Sequence, residues 1–576
     1  MKLLLLFFFT FIYCCIFQQI LPSNVLPHFL FGKPARSTFL EYGERIHYGN
    51  IFGIDSLDKF DKLQNDADCC PDVKVAYFKN KIDHFNLNDT RTWNQRYQYN
   101  SKHFVKSNTS DVVFIMIGGE GAASPIWVQK ETYQYIKMAI KHSAYIYQLE
   151  HRFFGESQPF KDTGSMAFEN LKYLTPKQAL ADLDNFINSL KNNFTNPRVV
   201  VFGGSYPGGL AAIYRLKYPS STVGAIASSA GINLQVDYTG YSLGMEETIN
   251  ATDPNCYNVV NASFNALQQA TLTKDGRSKL NQLFNLQPSF NETTFTKLDL
   301  TNFLANVFAV FQGIIQYTYD GREIVTENNY TVKTLCDYMT RLPNPNGFDN
   351  IAGIVKWSNK VNGLPSNAPF SNSYSDMING LRMTDYSAAK NNSNVQNNLE
   401  GRGWMWLCCN GLGFFQTTDE GRNIFHSIIP LNFFINQCED IFDPSINNDY
   451  VQKAVQNQKE YYGDADTYQG TNVVLPNGEF DPWKRVGVFI NDTNKNLYSF
   501  IIPGSAHCSD MYPEYKNEPV GLANAREFIY SQVDYYLNSS LPHNTKPSTK
   551  STSKISHTFI SSFISLLIFF LPFLLI

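Results

Sequence analysis

The residues best suited to do chemistry lie in Val199 to Gly209, where an apolar run, Val199-Val200-Val201-Phe202, enters Gly203-Gly204-Ser205-Tyr206-Pro207-Gly208-Gly209. A buried strand, a tight turn carrying serine and then a helix is the context of a nucleophile elbow. The turn lifts the hydroxyl clear of the strand, within reach of a base, with a helix N-terminus beneath it. Gly203 keeps the crowded turn free of side chains. The second residue after the serine is Pro207 rather than glycine. Proline is tolerated in a first helical turn, where its missing N–H has no partner anyway. Gly208 and Gly209 then supply the close helix–strand approach.

A serine nucleophile needs a base and a carboxylate to orient that base, and in this type of site they follow in the order serine, acid, histidine. Two late strand-like runs end in suitable loops. After Val473-Val474-Leu475 comes Pro476-Asn477-Gly478-Glu479-Phe480-Asp481-Pro482-Trp483; after Phe500-Ile501-Ile502 comes Pro503-Gly504-Ser505-Ala506-His507-Cys508. Asp481 and His507 are therefore the expected acid and base for Ser205. Glu479 and Asp510 are rival acids, and His151 is a rival base that precedes the serine and breaks the order. The developing oxyanion should be held by the backbone N–H of Tyr206 and an amide of the Gly118-Gly119-Glu120-Gly121 turn, Gly119 and Glu120 being the candidates. No histidine stands at ligand spacing beside the cysteines, so no metal and no cofactor is expected.

These residues must be carried by a scaffold. Strand-like runs precede glycine-rich turns at Val112–Ile117, Ala144–Tyr147, Val199–Phe202 and Val223–Ala227, and recur at Asn472–Leu475 and Tyr498–Ile502. Helical spacing opens at Thr175-Pro176, with Ala179, Leu180, Leu183, Phe186, Ile187 and Leu190 on one face, and returns from Leu210 to Tyr218. Strands alternating with helices predict an α/β architecture with a mainly parallel sheet, an α/β-hydrolase core. The rhythm stops over residues 240–470, which are Asn-rich and carry helical apolar patterns such as Phe303 to Phe311. That segment is expected to be a largely helical cap inserted between a first core part (24–239) and a last one (471–540).

The chain resembles the serine carboxypeptidase family that includes lysosomal prolyl carboxypeptidase, dipeptidyl peptidase II and thymus-specific serine protease. The resemblance runs from about Tyr77 to Tyr530. It is carried by Asp83-His84-Phe85-Asn86, Thr92-Trp93-Asn94-Gln95-Arg96-Tyr97, Glu150-His151-Arg152-Phe153-Phe154-Gly155-Glu156-Ser157, Tyr173-Leu174-Thr175, the Ser205 and Asp481 motifs and the Ala506-His507 loop. It implies an α/β-hydrolase core with a helical cap, exopeptidase action commonly after proline, and Ser205, Asp481 and His507 as nucleophile, acid and base. It also implies that Trp483 helps line a pocket for the residue before the cut; an indole face suits a proline ring. Gly403-Trp404-Met405-Trp406-Leu407-Cys408-Cys409-Asn410-Gly411 is similar to a cap motif, but departs from it where Leu407 and Gly411 replace the usual Gln and Glu. The same triad would serve an esterase or lipase, and the altered cap motif would suit a catalytically silent cell-surface homologue.

At 576 residues, with 17% charged residues and a formal net charge of −4, the chain suits a core domain with an insertion and not a nucleic-acid binder. Met1-Lys2 followed by apolar Leu3 to Phe17 reads as a signal peptide, with the mature chain starting near Ser23. A Ser/Thr-rich spacer (541–558) and an apolar end (559–576) read as a GPI-attachment signal, with Ser548 or Ser551 as attachment residue, or as a membrane tail. Ten Asn-x-Ser/Thr sequons, at Asn88, Asn108, Asn193, Asn250, Asn261, Asn291, Asn329, Asn391, Asn491 and Asn538, suit a secreted glycoprotein at the cell surface or in the lysosome. Eight cysteines remain outside the leader, which permits four disulfides. The partners expected are peptide substrates, a membrane reached through the tail, and a second copy in a homodimer.

Overall fold

The computed structural model describes residues 29–30, 33–34, 70–160, 164–341, 347–419 and 423–539. The leader, the spacer and the apolar tail lie outside the described residues, as do Cys69 and the side chain of Asn391. The described chain up to Ser539 belongs to one compact body.

Its frame is an eight-stranded sheet. The strands are β1 (Lys74–Lys81), β2 (Thr92–Asn100), β3 (Val112–Ile117), β4 (Tyr145–Leu149), β5 (Arg198–Gly204), β6 (Gly224–Ser228), β7 (Val473–Gly478) and β8 (Leu497–Ile502). They lie in the order β8-β7-β6-β5-β3-β4-β2-β1. Everything from β4 to β8 pairs in parallel, whereas β2 runs antiparallel to both β4 and β1. The chain has an α/β-hydrolase fold.

Period-two alternation divides the central strands between two cores. Val113, Ile115, Val199 and Val201 face one side, with the helix α2 (Pro176–Leu190) and the inserted helices. Phe114, Met116, Val200 and Phe202 face the other, against α1 (Gln134–Lys141) and the last helix. Fully burying an apolar side chain of this size contributes about 1.5–3 kcal/mol. Helix α2 starts where Thr175 caps it, its hydroxyl accepting from the Gln178 N–H, with Pro176 as the first helical residue. Helix α3 (Tyr206–Lys217) follows β5 directly.

Between Asp237 and Val473 helices predominate, among them Gly240–Thr252, Pro254–Thr271, α4 (Lys297–Gln316), α5 (Ser393–Leu407) and Asn448–Tyr462. Their apolar residues are continuous with those of the sheet in a single cluster. Helix α4 is long and apolar enough to cross a membrane, yet 67% of its apolar window is buried within the body. It is a core helix, and its last residue, Gln316, reaches the site described below. Helix α6 (Val520–Asn538) closes the described chain, placing Val533 and Tyr536 under the sheet.

The edge strand β1 and its neighbour β2 were not anticipated from apolar alternation. In β2 the buried side chains include Gln95, Arg96, Gln98 and Asn100. They are accommodated by hydrogen bonds: Gln95 donates to the Glu150 carbonyl (2.7 Å), Gln98 to that of Ala123 (3.1 Å) and Asn100 to that of Val128 (2.8 Å).

Candidate active site

Strand β5 ends in a turn that places Ser205 at φ 62° and ψ −127°. A non-glycine residue in this region is strained, by about 1–3 kcal/mol, and persists only where the surroundings fix it. Here the Ser205 N–H donates to the Ser228 carbonyl (2.9 Å), and the Ser205 carbonyl accepts from Gly209 N–H (3.0 Å). The glycines leave no alternative. A Cβ on Gly203 would run into the Pro207 carbonyl, and one on Gly208 would stand 2.5 Å from the Ser228 oxygen. Pro207, the second helical residue, packs where a Cβ on Gly119 would meet its ring at 2.7 Å, so the elbow rests directly on the glycine turn after β3.

The two late loops lie side by side. Phe480 N–H donates to the Ser505 carbonyl (2.8 Å) and Glu479 N–H to that of Ile502 (3.1 Å). Asp481, wholly buried, caps the short turn after it by accepting from Trp483 N–H (2.9 Å). Its carboxylate oxygens are 3.0 and 2.9 Å from His507 Nδ1. Since a carboxylate only accepts, Nδ1 carries the hydrogen, and in the neutral imidazole Nε2 is the nitrogen with the lone pair. Nε2 is buried, with no hydrogen-bond partner among the described residues, and the neighbouring Cys508 thiol is the other side chain that acts on the ring. Burial alone would pull the imidazole's pKa down, but the Asp481 carboxylate, then the Cys508 thiol, hold it well above the usual histidine range.

Ser205 and His507 line one cavity, together with Gly119, Glu120, Cys508 and Tyr317. Tyr206, at the first helical position of α3, has an amide that no helical carbonyl can reach. Its ring is buried, and its hydroxyl lies 3.0 Å from His151 Nε2. The structure thus brings Ser205, His507, Gly119 and Glu120 to one space, with Asp481 behind His507.

The rival groups are otherwise engaged. His151 Nδ1 lies 2.8 Å from the Arg152 carbonyl, and burial pushes its pKa down to about 4. It is a neutral imidazole accepting from Tyr206. Exposed Glu479 accepts from Gly504 N–H (2.8 Å). Asp510 accepts from the Ser228 hydroxyl (2.5 Å), and burial raises its pKa to about 6 against the opposing pull of Ser228 and Arg526. Neither acid is paired with His507.

Trp483 is not among the residues lining the cavity. Its indole is buried among Tyr238, Tyr241 and Phe414, 6.4 Å from the His507 ring, and donates to Gln316 Oε1 (3.0 Å). Gln316 was missed in the sequence. Its side chain also accepts from Tyr241 (2.6 Å), and its carbonyl accepts from the His507 N–H (3.0 Å). The inserted helix α4 therefore holds the histidine loop in place, a role that a single Gln at the end of an apolar run gives no means to foresee. Arg322, buried in the cavity wall, was likewise not anticipated.

Of the cysteines, Cys256 pairs with Cys336 and Cys409 with Cys438. Cys408 and Cys508 are buried and free, and the described residues hold two disulfides where four were permitted. The adjacent Cys408 and Cys409 divide, only the second being bonded. Leu407 and Gly411 flank this turn, Leu407 buried at the end of α5 and Gly411 against Gln458.

Comparison with known proteins places this geometry in context. Residues 80–529 match the family described as Serine carboxypeptidase S28. A Caenorhabditis elegans protein named "putative serine protease" is 41% identical over 515 residues, covering 89% of this chain and 91% of its own. Human lysosomal Pro-X carboxypeptidase is 27% identical over 493 residues, covering 81% and 90%. Mouse thymus-specific serine protease is 27% identical over 483 residues, covering 81% and 87%.

Proposed function

The chain belongs to the serine carboxypeptidase S28 family and is a serine peptidase, and on that premise we propose that it is a secreted exopeptidase working through Ser205, His507 and Asp481. The observation that carries this reading is the buried Asp481–His507 pair, with Nε2 left unpartnered on a residue that shares its cavity with Ser205.

The chemistry follows from the arrangement. His507 Nε2 takes the Ser205 proton as Oγ attacks the peptide carbonyl, and Asp481 stabilises the imidazolium that results. Negative charge develops on the carbonyl oxygen, where the Tyr206 amide and an amide of Gly119 or Glu120 receive it; one such donor is typically worth about 10²–10³ in turnover. The imidazolium then protonates the leaving amine. Water, deprotonated by the same imidazole, releases the acyl group and restores the serine.

Cleavage after proline is supported by the Pro-X carboxypeptidase relatives, whose name states that specificity. Passage through the secretory pathway, to a lysosome or a cell surface, is supported by the two disulfides and by nine sequon asparagines with exposed side chains. The GPI or membrane attachment is carried by the tail sequence alone.

A fluorophosphonate probe tests the core of the reading. Wild-type protein is expected to gain one label on Ser205, and Ser205→Ala to gain none. Full labelling of the alanine variant, or an unlabelled wild type that is folded, would sink it. Turnover on simple acyl esters with none on peptides would favour the esterase alternative.

A further inference from the structure

We propose that Arg322, held by Asp320, binds the free carboxylate of the residue that leaves. The inference rests on the serine peptidase reading above and deepens it.

Arg322 and Asp320 are both buried, at 5% and 0% exposure, yet Arg322 lines the same cavity as Ser205 and His507. Asp320 fixes its posture. Its carboxylate accepts from the Arg322 backbone N–H (3.0 Å) and from Nε (2.8 Å), and lies 2.6 Å from Nη2. The guanidinium stacks over the Tyr317 ring, 4.1 Å from its centroid, with the Tyr512 ring at 5.2 Å. Gly321, between the pair, is packed so closely that a Cβ there would run into the Pro513 carbonyl, which ties this segment to the chain just beyond His507.

A guanidinium has five N–H donors. Asp320 engages Nε and Nη2 through one oxygen, and among the described residues Nη1 meets no acceptor. A rigid, desolvated fork with unused donors in a cavity wall is suited to a planar anion, above all a carboxylate gripped by two parallel bonds. A purely structural arginine at this burial would be expected to spend those donors on carbonyls, as Arg152 and Arg215 do here.

Position supplies the rest. The leaving amine must sit at His507, which protonates it. The Tyr317 ring lies 5.8 Å from the His507 ring on one side and under the Arg322 guanidinium on the other. In a single leaving residue the carboxyl carbon lies about 2.5 Å from the nitrogen. A one-residue leaving group keeps its only obligatory charge close to His507, and Arg322, one aromatic ring away, is the buried cation of the cavity wall that can meet it.

The test uses purified full-length protein and blocked tripeptides ending in Pro-Ala as the free acid or the amide, with Pro-Glu amide as a third arm. For the wild type, kcat/KM should favour the acid over the amide by about 10- to 100-fold, mostly through KM, the range a lost charged hydrogen bond gives. In Arg322→Met the acid-to-amide ratio should fall towards one. Because that change leaves Asp320 buried and unpaired, the paired variant Asp320→Asn with Arg322→Met is measured too, and fluorophosphonate labelling reports whether Ser205 is still assembled. Equal cleavage of acid and amide by the wild type, preference for the Glu amide, or release of fragments from the amino end would each overturn the proposal. Wild type that neither labels nor cleaves any arm would instead refute the peptidase reading itself.

Discussion

Replacing Asp481 by Asn changes one oxygen for an amide nitrogen and little else in shape. In the wild type both carboxylate oxygens lie within 3.0 Å of His507 Nδ1, and both residues are buried, so the contact is unscreened. An amide presents an NH2 to Nδ1 as readily as an oxygen. When it donates, Nδ1 becomes the acceptor and Nε2 carries the hydrogen, the wrong tautomer for taking the Ser205 proton. A comparable tautomer error elsewhere lowers kcat about 10⁴-fold, which corresponds to about 5.4 kcal/mol of transition-state stabilisation. The Asp481 carboxylate is also the leading influence holding the His507 pKa up against burial. The neutral, basic form grows as pH rises through that pKa, so activity should climb along an acid limb. Without the carboxylate the pKa falls and the limb moves to lower pH. The assay is kcat/KM against pH on a Pro-Ala peptide for both proteins, with active-site titration to count competent enzyme. A variant within tenfold of wild type, or an acid limb that stays in place, would refute the reasoning.

Two further substitutions read the frame around the site. Gly203→Ala forces a Cβ onto the Pro207 carbonyl, backbone that cannot turn aside without moving the elbow. It should destabilise the fold by about 1–3 kcal/mol and slow fluorophosphonate labelling, seen as a lower melting temperature and a smaller labelling rate; wild-type values for both would contradict the account. Asp510, with a pKa raised from 3.8 to about 6 by burial, holds its proton in the folded state where the unfolded chain has lost it. Stability should therefore fall by about 3 kcal/mol as pH rises from about 4 to 6, and Asp510→Asn should remove that part of the slope in denaturant melts at several pH values; identical slopes would count against the burial argument.

The sequence disclosed the parts of the fold that obey apolar periodicity. Strands β3 to β8 and helices α2 to α4 announced themselves, because their inward faces are Val, Ile, Leu and Phe. Strands β1 and β2 did not, since β2 buries amides and an arginine whose partners lie far along the chain. Several motifs that carried the family resemblance prove to serve this frame. Arg152 donates to Asp182 at 2.6 and 2.7 Å, which also meets His84, and Arg96 pairs with Glu150 at 2.6 Å. Glu150 in turn accepts from the Ala123 N–H and the Ser157 hydroxyl, which anchors the turn beside the cavity.

At the site itself, residue type and chain order led to Ser205, Asp481 and His507, because an elbow and two post-strand loops leave local signatures. Gln316 and Arg322 left none. Each matters through contacts with residues more than a hundred positions away, Trp483 and His507 for the first and Tyr512 for the second. No local pattern encodes such a meeting.

The most direct measurement is a crystal structure of the protein inactivated by a peptidyl phosphonate. The account predicts phosphorus bonded to Ser205 Oγ, His507 Nε2 within about 3.2 Å of that oxygen, and a phosphoryl oxygen about 2.7–3.1 Å from the Tyr206 amide and one amide of the Gly119–Glu120 turn. Phosphorus on any other side chain, or His507 out of reach of an adduct on Ser205, would contradict it.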